Sequence, residues 1–281
     1  VCNIIPAIIN IVLDYVFIFI LKWGMFGAAL ATSLGYIVGA VMILAYLFHP
    51  ERILHVCRVK LSKKSLYLTI RNVGYMCRLG FSSFLCETAI ATMMFVGNYV
   101  FIRYLGEDGV AAYSIACYFF PIVFMVYNAI AQSAQPILSY NYGAKCTARV
   151  RETFRLALTT AILCGAGVFL LTWIFSHQIV GMFLDSSYPA YNIAVKGLPL
   201  FASGFVFFGI NIVSIGYFQS LERDCPAMII TLLRGFALIL LCFWILPIIW
   251  GSWGIWLAVP MSELLTFLFV LVIYWLENRR N

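Results

Sequence analysis

Eight apolar runs follow one another along the chain, at roughly residues 3–20, 25–47, 80–102, 112–138, 157–176, 190–216, 227–248 and 252–276. Each is near or above the ~20 residues that a helix needs to cross the hydrocarbon of a bilayer. None alternates apolar and polar residues as a membrane β-strand does, and an isolated strand cannot satisfy its backbone in lipid. The pattern predicts an all-α integral membrane protein with eight transmembrane helices.

The stretches between the runs alternate in character. Basic residues gather in 49–71 (Arg52, Arg58, Lys60, Lys63, Lys64, Arg71), in 141–155 (Lys145, Arg149, Arg151, Arg155), at Arg223 in 217–225, and at Arg279 and Arg280 in the tail. With eight spans these regions fall on one side of the membrane. The other side, 21–24, 103–111, 177–189 and 249–251, carries Lys22, Arg103 and little else. Positive charge marks the cytoplasmic face, which puts both ends of the chain in the cytoplasm.

GMFGAALA at 24–31 and GSWGIWLA at 251–258 share the pattern G-x-x-G-x-x-L-A at an offset of 227 residues, and each opens the second of two closely spaced runs. Such a repeat divides the chain into 1–62, the last two helices and linker of a first six-helix lobe, and 63–281, a complete second six-helix lobe. The expected beginning of the first lobe, about four helices, precedes Val1.

Composition narrows the class. Of 281 residues, 64% are hydrophobic and only 10% charged, against about 25% charged in soluble domains. The net charge of +7 lies mostly between the apolar runs and has no aromatic–basic platform beside it, so nucleic acid is not an expected partner. The nine cysteines form no CxxC pair, and His49, His55 and His177 join no Cys/His cluster with zinc-site spacing. The order of charge and hydropathy before the first run is not that of a signal peptide. No G-x-x-x-x-G-K-[ST] phosphate loop is present.

A few polar residues interrupt the apolar runs. NIVLD (10–14) sets Asn10 and Asp14 one helical turn apart on the same face. A charged side chain near midplane costs about 2.5–3.5 kcal/mol even on the gentler insertion scales. A bound cation, a proton or cavity water offsets that, and Thr32 in the next run adds a hydroxyl; alternatively, Asp14 only bonds a neighbouring helix. Glu87, in GFSSFLCETAIATMMF (80–95), is either a cavity acid or half of an interhelical hydrogen bond. Arg234 and Glu263 lie inside the last two runs and are candidates for an ion pair or for coupling. AQSAQP (131–136) supplies Gln132 and Gln135 to a polar lobe interior and Pro136 to a kink or hinge. Asn211 is a further polar interior candidate, with Tyr140 and Asn141 behind it.

Longer stretches in fixed order carry a resemblance: NIVLD followed by GMFGAALATS (24–33), AQSAQPILSYNYGAK (131–145), YFQSLERDCPAMIITLLRG (217–235) and GSWGIWLAVPMSELL (251–265). Together the chain resembles the multidrug and toxic compound extrusion (MATE) family, in its branch of bacterial multidrug export proteins. The resemblance implies two six-helix lobes rocking about a central cavity, of which this chain would be helices five to twelve. It implies a first-lobe cation site with Asn10, Asp14 and Thr32 as members, completed by an acid on a helix outside this chain. It also implies an acid on the seventh helix, where Glu87 stands; Ser82 departs from the proline usual there.

The function expected is a proton- or sodium-coupled antiporter in the cytoplasmic membrane, monomeric, exporting small cationic amphipathic drugs or metabolites. No resident cofactor or metal is expected beyond the coupling ion, Na+ or H+, with Na+ at Asp14 as one form. The alternative is a flippase or exporter of lipid-linked sugars or another solute, which calls for a wider, more basic cavity. An enzyme is disfavoured, because the three histidines lie in or beside loops and converge with no acid or serine.

Overall fold

A computed structural model describes residues 4–48 and 62–280. His49, His55, Cys2, Cys57, Arg52, Arg58 and Lys60 lie outside them, and the side chains of Arg279 and Arg280 are likewise not described. The described chain is helical apart from short connections, as lipid requires of a backbone that must satisfy its own hydrogen bonds. It divides into two compact units, Val1–Ile70 and Arg71–Asn281.

The first unit contains α1 (Ile4–Asp14), a π-helical segment (Tyr15–Ile20) and α2 (Gly24–Leu47). The buried residues of α2 are Gly27, Ala31 and Gly35. They repeat every four positions and form a stripe of small side chains facing α1, the usual way two helices approach closely in lipid. A Cβ on Gly35 would lie 3.3 Å from both the Asn10 Cβ and the Pro6 carbonyl oxygen.

The second unit takes in α3 (Lys63–Gly143) from Arg71 onward. There follow α4 (Thr147–Ile174), a short α5 (Ser176–Gly181), α6 (Pro189–Ala202), α7 (Phe205–Ser220) and α8 (Asp224–Leu232). A second π-helical segment (Leu233–Ala237), α9 (Leu238–Trp250) and α10 (Ser252–Arg280) complete it. Its core is dominated by aromatic rings. Phe101 stacks on Tyr113 at 4.3 Å and meets the edge of Trp256 at 4.9 Å. Phe120 stacks on Phe208 at 4.8 Å, and the Tyr127 hydroxyl donates to the Phe205 carbonyl at 2.8 Å. These rings are packing residues, fully or almost fully buried.

The eight-span, two-lobe architecture expected from the hydrophobic runs is corrected here. Among the described residues, five helices are long and apolar enough to cross a membrane, six if one bent pair counts as a single span. The first run yields Ile4–Ile20, below the length of a span. The runs at 80–102 and 112–138 fall within one long helical stretch, α3 (Lys63–Gly143), interrupted at Gly106 (φ 66°, ψ −157°). The run at 190–216 becomes Pro189–Ala202 and Phe205–Ser220, bent by 42°. Hydropathy measures apolar length. It is blind to a π-helical or bent backbone that divides or shortens that length.

The repeated glycine motif has a local explanation. Gly24 and Gly251 open their helices at φ 54° and 58°, a region that L side chains enter only at a cost. Three residues on, a Cβ on Gly27 would come within 2.9 Å of the Phe17 Cβ, and one on Gly254 would collide with the Leu246 carbonyl. Each motif therefore combines a tight entry turn with close approach to the preceding helix.

Candidate functional site

In the first unit, Asn10 and Asp14 occupy the last turns of α1, and Thr32 on α2 meets Asn10. The Asn10 amide donates to the Thr32 hydroxyl at 3.5 Å, at the outer limit of a hydrogen bond, while Thr32 donates back to the Ala28 carbonyl at 3.0 Å. Gly35 makes room for Asn10, because a larger residue would press on its Cβ. A cleft of about 550 Å³ opens beside the pair, lined by Pro6, Ala7, Asn10, Thr32, Gly35 and Tyr36 among others. That is within the size range of small-molecule sites.

Asp14 is half-buried, and one of its carboxylate oxygens, Oδ1, is buried with no hydrogen-bond partner. The helix changes to π geometry at the next residue, Tyr15. Single π turns recur at functional sites because they widen the helix and turn side chains out of register. An anionic oxygen without a donor is costly out of water. A proton or a small hard cation relieves that cost, and the oxygens of Asn10, Asp14 and Thr32 are suitable donors to either.

A second constellation lies in the core of the second unit. Arg234 and Glu263 are only 4% and 3% exposed, and Arg234 Nε donates to Glu263 Oε1 at 2.7 Å. Asn211 Nδ2 donates to the other carboxylate oxygen at 2.8 Å and to the Glu263 backbone carbonyl at 3.0 Å. The guanidinium lies over the Phe208 ring, 4.4 Å from its centroid. Arg234 sits in the second π segment, so a π-helical stretch adjoins or contains the charged residue in both constellations. Neighbouring Cys86 and Thr231 are 3.6 Å apart. The sequence marks Arg234 and Glu263 as a candidate ion pair and Asn211 separately; Phe208 and Cys86 are hidden among many similar apolar residues. Spacing alone offered one further signal, the Gly27–Ala31–Gly35 stripe.

The other named residues are more peripheral. Glu87 is exposed on α3, beside buried Cys86, and forms no hydrogen bond or ion pair among the described residues. Gln132 and Pro136 are exposed, and the backbone around Pro136 keeps helical angles. Gln135 Nε2 donates to the Gln219 side-chain Oε1 at 3.2 Å, and Gln219 Nε2 donates to the Ser83 hydroxyl at 3.4 Å. Tyr140 is exposed, while Asn141 is buried and donates back to the Ile137 carbonyl. The described residues include no grouping of three or more His, Cys, Asp or Glu side chains that could hold a metal ion.

Comparison with known proteins places the chain in a family. The MatE family model matches residues 83–244, more than half of the chain. The chain belongs to the MatE family.

The MatE chain is 21% identical over 274 residues to the multidrug export protein MepA of Staphylococcus saprophyticus, covering 97% of this chain and 59% of that protein. It is 22% identical over 276 residues to MepA of Staphylococcus aureus, covering 96% and 58%. It thus spans a little under three fifths of these curated relatives. Among solved structures, an outward-facing multidrug resistance MATE transporter of the MOP superfamily superposes with a TM-score of 0.83 at 21% identity, over 95% of this chain and 60% of that one. A mutant of the Vibrio cholerae MATE transporter VcmN gives 0.83 at 20%, over 98% and 61%. A Pyrococcus furiosus MOP superfamily transporter, described as having a binding pocket of reverse polarity that suggests a different function, gives 0.83 at 20%, over 95% and 59%. These relatives and structural neighbours are named as export proteins and transporters.

Proposed function

We propose that the full-length protein is a cation-coupled antiporter of the cytoplasmic membrane that exports small cationic amphipathic compounds, with Asn10, Asp14 and Thr32 in its coupling-ion site. The observation that carries the reading is the buried, partnerless Asp14 oxygen one turn from the Asn10–Thr32 contact. Protonation or cation binding there removes an uncompensated charge. A ligand that does this in one conformation more than in another shifts the balance between them. Opposed swings of ion and drug then amount to exchange. Kinship with proteins called multidrug exporters supports the substrate class. A monomer is sufficient for such a cycle. The domain boundary expected from sequence, 1–62 and 63–281, belongs to the same proposal and is distinct from the division into Val1–Ile70 and Arg71–Asn281.

The test is efflux of a fluorescent organic cation from liposomes holding the full-length protein, under an imposed proton gradient and separately a sodium gradient. Wild type should export under one of them. Asp14→Asn should abolish the gradient-driven part, and Glu87→Gln reports whether the second acid contributes. Full export by a folded Asp14→Asn protein would refute the assignment.

A second reading has one observation behind it. The Pyrococcus transporter superposes as well as the drug exporters do, yet its pocket is described as reversed in polarity. Export of another solute, including a lipid-linked sugar, is therefore the outcome favoured if no organic cation moves under either gradient.

A further inference from the structure

A cavity of about 580 Å³ lies at the end of the second unit where α3 closes, α4 opens and α7 ends. Three cationic side chains line it: Lys145 from the α3–α4 turn, Arg151 from the first turns of α4, and Arg223 from the turn after α7. Among the described residues no acid is in the lining, although Glu152, Glu222 and Asp224 are adjacent in sequence. Two basic stretches far apart in sequence, 141–155 and 217–225, thus meet around one space.

Aromatic rings share the lining with these charges. Phe154 is 4.3 Å from Tyr217 and stacks on Tyr274 at 5.5 Å, and the two tyrosine rings stack at 5.5 Å. Lys145 holds a left-handed backbone, φ 57°, within a turn closed by Cys146 N–H to the Asn141 carbonyl at 2.9 Å. Glycine usually occupies such a position. A lysine there presents its charge at the cavity from a fixed turn, at a cost in backbone strain.

We propose that this cavity binds the phosphate-bearing headgroup of an anionic phospholipid. The three cations match the phosphate. The tyrosines suit the headgroup level of a bilayer, where amphipathic rings gather. Basic pockets between helices at a membrane surface take anionic headgroups for the same electrostatic reason. A free phosphate ion would use the cations and leave the aromatic wall without a role.

The experiment titrates the full-length protein in detergent micelles with phosphatidylglycerol, phosphatidylcholine or inorganic phosphate, and counts bound lipid by native mass spectrometry. Phosphatidylglycerol should bind about tenfold more tightly than phosphatidylcholine, and Lys145→Gln with Arg151→Gln should remove about tenfold of that affinity, allowing for screening of two exposed charges. Lys63→Gln with Lys64→Gln removes the same charge elsewhere and should leave the preference intact. Equal binding of the two lipids by wild type overturns the proposal without any variant. Equal loss in both double variants also overturns it, by showing diffuse surface attraction. Displacement of the lipid by millimolar inorganic phosphate would assign the cations to a soluble anion instead.

Discussion

Removing Glu263 should cost far more than removing it together with Arg234. In Glu263→Ala the guanidinium loses its 2.7 Å partner while staying buried against the Phe208 ring. Asn211 keeps only the backbone carbonyl at position 263. Breaking a buried pair by deleting one partner costs about 3–5 kcal/mol, because the remaining charge stays out of water. At 1.4 kcal/mol per factor of ten, that is roughly two to nearly four orders of magnitude in the folding equilibrium. Arg234→Met with Glu263→Leu removes both charges and restores apolar volume. It forfeits the Asn211 side-chain bond, about 1 kcal/mol, and little else, so it should fall within about 2 kcal/mol of wild type. The assay is equilibrium unfolding of the full-length protein in mixed micelles, with Arg234→Met alone closing the cycle. Single and double variants destabilised equally would refute the reasoning and place the energy in packing volume instead of charge compensation.

Two further perturbations follow from backbone geometry and close approach. Gly106→Ala forces a Cβ into a region open almost only to glycine and should cost about 1–3 kcal/mol in the same unfolding assay; an unchanged midpoint would show that the break relaxes freely. Gly35→Leu must push Asn10 and Pro6 away from α2. It should abolish gradient-driven efflux while the protein remains in the membrane, and unaltered efflux would separate the Asn10–Thr32 contact from coupling.

The sequence by itself determined that this is a helical membrane protein, because apolar length and scarce charge leave a lipid-exposed backbone few other options. It also marked Asp14, Arg234 and Glu263 as exceptional, since an ionisable group in an apolar run is conspicuous against its neighbours. The G-x-x-G repeat was legible because the turn and the close approach depend on the identity of a single residue type.

The number of membrane-length helices was not legible in the same way. Gly106, the 42° bend between α6 and α7 and the π segments change the path of the chain without changing its hydropathy. Nor could spacing join Asn211 to Glu263 across 52 residues or bring Phe208 under Arg234, since these contacts arise from how α7, α10 and the second π segment pack. The basic cavity is the same kind of fact. Its charges were visible as two loop clusters, but only the packing of α3, α4, α7 and α10 makes them face one space. Short-range chemistry is written in composition and period, whereas long-range contacts are set by which helix faces bury each other.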